Sequence, residues 1–220
     1  MRLVSKDIVT PVLIAALAFG PLSAAPARAS APLRALEYAV SERVDGHRVA
    51  GTVAVAITSI NDDRGFAVNV REAIGDEETA VEANVDRHGA ITMRRGDRVT
   101  REEQAVLYFL ALGSENLTGM DKGDEWRADG AVPEGRQETH YTVLRSLSNG
   151  RIDLGITRAI WMNNGDTSSW RGRVVYDYQA IMPVSISLNG RLRSHTEDVL
   201  RTSDVTFEMQ LKSDTFQKGG

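Results

Sequence analysis

The stretch Tyr141-Thr142-Val143-Leu144-Arg145-Ser146-Leu147-Ser148-Asn149-Gly150-Arg151-Ile152-Asp153-Leu154-Gly155-Ile156 decides the fold class. Tyr141 and Val143 begin a strand, and Ile152, Leu154 and Ile156 return along its partner. Between them Asn149-Gly150 is the dipeptide that favours a tight hairpin, because both residues tolerate positive φ. The same period of two extends downstream. Trp170, Val174, Tyr176 and Tyr178 alternate with Arg171, Arg173, Val175 and Asp177. Val184, Ile186 and Leu188 lead to a second such turn, Asn189-Gly190, and Val205, Phe207, Met209 and Leu211 form a last strand. Upstream, Val53, Val55 and Ile57, then Phe66, Val68 and Val70, then Val81, Ala83 and Val85, and finally Ile91 and Met93 read as four strands of an antiparallel meander. Turns are expected at Asn61 to Arg64, Gly75 to Glu78 and His88 to Gly89. Such clean alternation leaves one face of the sheet wet.

Two stretches read as helix. Leu33, Leu36, Val40 and Val44 have helical spacing, with Glu37, Ser41 and Arg43 between them. Thr100 and Glu103 make a capping box and Gly113 sits where a C-terminal cap glycine belongs, which predicts a helix over 100–112. Ala105 to Leu112 is apolar throughout, and a helix apolar all round must be covered all round. The small Ala54 and Ala56 face of the first strand would let it approach closely. The expected fold is therefore mainly β (α+β), an antiparallel, strongly curved sheet or half barrel around one buried helix, with a closed antiparallel barrel as the alternative. The β segments 49–93 and 138–213, joined by helix 100–112, repeat one outline, which raises internal duplication as a hypothesis.

The N-terminus begins with Arg2 and Lys6, runs apolar from Ile8 to Phe19, stops at Gly20-Pro21 and continues in small residues. That is a secretory signal peptide over 1–29, cut after Ala27-Arg28-Ala29 and before Ser30. The run is broken by Pro11 and Pro21 and is shorter than the roughly 20 residues of a spanning helix, and no other stretch is apolar enough to span a bilayer, so the mature chain, 30–220, is expected not to span a membrane. With no Cys there is neither a lipid-bearing N-terminal cysteine nor a disulfide. The expected location is periplasmic or extracellular, and about 190 residues suffice for one domain with its own core. Cleavage removes Arg2, Lys6 and Arg28 with Asp7, so 26 basic and 30 acidic residues become 23 and 29, a net charge of −6. That argues against a nucleic-acid partner, whose phosphates demand Lys and Arg.

No catalytic residue and no metal ligand is assigned, and no cofactor is implied. His47, His88, His140 and His195 stand in no metal or triad spacing. Asp121, Asp124 and Glu125 lack the alternating ligands of a calcium loop and read as a solvated turn. The most suggestive segment is Trp161-Met162-Asn163-Asn164-Gly165-Asp166-Thr167-Ser168-Ser169-Trp170. Trp161 and Trp170 could grip an apolar or sugar ligand, or close a hairpin as a cross-strand aromatic pair, and the structural reading is preferred.

From Gly123 onward, Gly123-Asp124-Glu125-Trp126, the hairpin, and Gly172-Arg173-Val174-Val175-Tyr176-Asp177 followed by Pro183 resemble a loose group of exported bacterial β-rich domains with a G-D-x-W step and a G-x-V-x-Y-D strand. That resemblance implies a fold and no activity. In outline the chain is also similar to the half-barrel lipoprotein carriers of the periplasm, by fold analogy alone. Export plus a curved apolar face favours a non-catalytic protein that binds a lipid or other apolar small molecule. The alternatives are a structural or interaction protein with a cell-envelope partner, reached through loops such as 113–136, and a hydrolase with a dispersed site.

Overall fold

A computed structural model describes residues 32–61, 65–85, 91–93, 107–110, 117–132, 135–196 and 199–215. Eleven strands make up almost all of it: β1 (Arg34–Val44), β2 (His47–Ile60), β3 (Phe66–Ile74), β4 (Glu77–Val85), β5 (Ile91–Met93), β6 (Glu125–Val132), β7 (Gly135–Leu147), β8 (Arg151–Met162), β9 (Thr167–Asp177), β10 (Met182–Thr196) and β11 (Val199–Asp214). They form one antiparallel sheet in the order β5-β4-β3-β2-β1-β11-β10-β9-β8-β7-β6. Two meanders thus run outward from a central seam where β1 meets β11, with Val40 opposite Met209. β5 and β6, consecutive along the chain, end up as opposite edges. They do not pair, so the sheet is open and the closed-barrel alternative is excluded.

One face of this sheet is apolar along nearly its whole width. Tyr38, Val53, Val70, Val81, Met209, Ile186, Val174, Leu154 and Tyr141, drawn from nine different strands, belong to one buried cluster. Strands lie ~4.8 Å apart, so a flat sheet of this width would spread that face over about 50 Å. Bending it round a single core is what buries residues as far apart as Val81 and Tyr141. Glycine marks two of the tightest approaches. At Gly51 and Gly172, both in the inward register, a Cβ would lie 2.0 Å from the carbonyl oxygens of Ala73 and Ser187 on the adjacent strands. Bulges at Glu37/Tyr38, Ile57/Ser59, Val143/Arg145 and Pro183/Ser185 add local twist.

Residues 107–110 are helical and buried, and Tyr108 donates its hydroxyl to Thr139 Oγ1 at 2.7 Å on the concave face. The remainder of the expected helix 100–112 lies outside the described residues. Its packing side differs from expectation: the helical residues share the core with Val53 and Val55, whereas Ala54 faces solvent. Among the described residues no helix is long and apolar enough to cross a membrane.

Three further expectations are corrected. Leu33–Val44 is not a helix; β1 occupies Arg34–Val44 and turns through Asp45-Gly46, at φ 48° and 88°, into β2. Asn189-Gly190 is not a turn, because β10 runs through it, pairing Asn189 with Arg171 on one side and Thr206 on the other. The first β segment therefore begins at Arg34 rather than 49. The second begins at Glu125 rather than 138, with β6 in what read as a loop. Asn149-Gly150 is a turn, with φ 64° and 74°, in a connection of three residues between the paired Leu147 and Arg151. The signal peptide and the turn at His88-Gly89 lie outside the described residues.

Candidate functional site

The inward register of β8 reads Ile152, Leu154, Ile156, Arg158, Ile160, Met162, and its last three members open a cleft of about 430 Å³ at one end of the concave face. Two rows of paired residues cross the successive strands at this end of the face. Arg158 lies opposite Trp170, Trp170 opposite Gly190, and Gly190 opposite Val205. One step toward the strand ends, Ile160, Ser168, Leu192 and Ser203 form a parallel row. Leu188 and Phe207 line the floor with these, and Asp166, Thr167, Arg193 and Ser194 supply polar edges.

Trp170 is buried, and its indole N–H donates to Ser168 Oγ at 3.0 Å. Its ring lies over Gly190 so closely that a Cβ there would stand 2.4 Å from Cε3. The glycine thus makes room for the ring across the strand pair.

Arg158 is 5% exposed. Its Nε donates to Gln137 Oε1 at 2.9 Å, and Nη2 donates to the same oxygen. The guanidinium carbon stands 4.1 Å from the centroid of the Tyr108 ring, a cation–π contact. Burial lowers the Arg158 pKa, and Tyr108 and Tyr141 oppose that shift. A guanidinium nevertheless stays protonated in proteins, so a full positive charge is held inside. Among the described residues no carboxylate pairs with it. The contrast with Arg34, the other buried arginine among the described residues, is direct: Arg34 grips Asp214 through Nε and Nη2, at 2.9 and 2.8 Å.

The two tryptophans singled out in the sequence lie on opposite faces. Trp161 is outward, paired with Thr167, and Arg136 stacks 4.6 Å over its ring. No Trp161–Trp170 cross-strand pair exists, and of the two only Trp170 lines the cleft. The histidines lie elsewhere. His140 is exposed beside Glu138, His195 is exposed with its backbone N–H bonded to Asp166, and His47 is exposed at the start of β2. His88 is outside the described residues. Asp124 accepts the Asp121 backbone N–H at 2.8 Å, closing an exposed turn.

Sequence reasoning passed over Arg158. Its signal was present: a cation two positions after Ile156 and two before Ile160, in a register otherwise apolar. No protein-family model matches the chain, and no curated protein matches it.

Proposed function

We propose that this chain is an exported binding protein, rather than an enzyme, that holds an apolar small molecule against the concave face of its open sheet. The observation that carries this reading is the cleft of about 430 Å³ walled by Ile160, Met162, Trp170, Leu188, Leu192 and Phe207. Its size falls in the range of about 300–1,000 Å³ usual for ligand pockets, and apolar walls with a few placed polar groups are the usual lining. The open sheet supports a carrier role by analogy with the half-barrel lipoprotein carriers, and the signal peptide read over 1–29 supports a periplasmic or extracellular setting.

The test is native mass spectrometry on the mature protein purified from its own compartment. An adduct that disappears on organic extraction, and returns when the extract is added back, is the expected result. Protein that carries no adduct and takes none up would remove the reading.

A further inference from the structure

Arg158 carries the argument beyond an apolar ligand. A charge taken out of water is costly unless it is paired, and Arg34, the other buried arginine among the described residues, has its carboxylate. Among the described residues Arg158 has only a neutral amide oxygen and a ring face, and it lines the cleft. Nε and one Nη2 hydrogen are committed to Gln137, which leaves the Nη1 side of the guanidinium fork with donors to spare. Arginine recognises carboxylates through that planar fork, and the ring of Tyr108 and the Gln137 amide hold the plane in one orientation. The apolar walls continue from Arg158 past Ile160 and Trp170 to Leu192, giving a hydrocarbon chain a path away from the charge.

We propose that the ligand is a fatty acid, bound with its carboxylate inward on Arg158 and its chain along the apolar walls. This rests on the ligand-binding reading above and deepens it by naming the head group and the residue that holds it.

The experiment uses the delipidated mature protein and three probes of one chain length: dodecanoate, dodecanol and dodecylammonium, each titrated calorimetrically. Charge-assisted hydrogen bonds make dodecanoate bind about ten- to a hundredfold tighter than dodecanol, with dodecylammonium weakest. Arg158→Met keeps an unbranched side chain of similar volume and removes the charge, and exchanging a buried charge for an apolar group of similar volume is commonly tolerated. In that variant dodecanoate and dodecanol become equivalent. If all three probes fail to bind, the ligand-binding reading itself falls. If dodecanoate and dodecanol bind wild type equally, the cleft is a ligand site but the anionic head group is wrong. If the preference for dodecanoate survives in Arg158→Met, the assignment to Arg158 is overturned. The comparison of probes on wild-type protein decides the head group even where the variant folds poorly.

Discussion

Asp153 shows how strictly register sorts charge in this sheet. It takes the outward position between Ile152 and Leu154, yet it has no exposed surface, because Arg145 and Arg173 close over it from the neighbouring strands. Burial pushes its carboxyl pKa up, and the hydrogen bonds and charges of the two arginines outweigh that and hold it below the usual range. A carboxylate whose pKa is lowered by folding adds stability that is present above the unfolded value, about 3.9, and is lost as the pH falls through the folded one. Asp153→Asn should therefore cost about 1–3 kcal/mol at pH 7. The gap between variant and wild type should close as the medium is acidified below the unfolded value. Urea unfolding at neutral and acid pH measures both, and a gap that is independent of pH would contradict the pairing. Gly190 makes the matching case on the concave face. A methyl there meets the Trp170 ring, so Gly190→Ala should lose about 1–3 kcal/mol as an overpacked site. Adding Trp170→Leu should recover part of that loss, a coupling read from a double-mutant cycle.

At the scale of the element, the alternating strands were legible because each carries its own period, and the failures came where two periods or two contexts coincide. Leu36, Val40 and Val44 are spaced by four, which satisfies a helix and equally one face of a strand. The residues that separate the two are Tyr38, fully buried, and Glu42, a carboxylate in the inward register that breaks the apolar series. Asp45-Gly46, a strong hairpin signal, follows directly and argues for the strand. Asn189-Gly190 misleads for a different reason: the same dipeptide turns at 149–150, but at 190 the glycine answers to a tryptophan from β9, which nothing local to β10 reveals. β6 was hidden in a stretch containing Gly130 and Pro133. Arg158 was legible in principle, as a lone cation in an apolar register, but its lack of a counter-ion needed the structure. Because β1 lies inside the sheet between β2 and β11, its amides between Tyr38 and Glu42 should be among the slowest to exchange with deuterium, and those of β5 among the fastest. Exchange at β1 as fast as at β5 would place β1 at an edge. Gly172→Ala drives a methyl into the Ser187 carbonyl and should weaken the β9–β10 pair enough to lower the unfolding temperature by several degrees, about 1 kcal/mol being worth 2–4 °C at this size.

For the whole molecule, topology explains why an apolar face this wide can exist without a second layer of sheet. Two meanders joined at β1 and β11 bend one continuous surface round its own side chains, and the two edges do not pair with each other. The row from Arg158 to Val205 spans four strands of that surface, so the cleft depends on the bend as a whole rather than on one loop. The signal peptide proposed over 1–29 predicts that the intact mass of the mature protein corresponds to a chain that starts at Ser30. The ligand is proposed to bind on the concave face near Trp170. The three tryptophans allow a direct reading: in a ¹⁵N-edited spectrum each indole N–H gives its own signal, and Trp161 on the convex face serves as an internal control. Titration with dodecanoate should shift the Trp170 indole signal strongly and leave Trp161 in place. A titration that moves Trp161 and spares Trp170 would contradict the account.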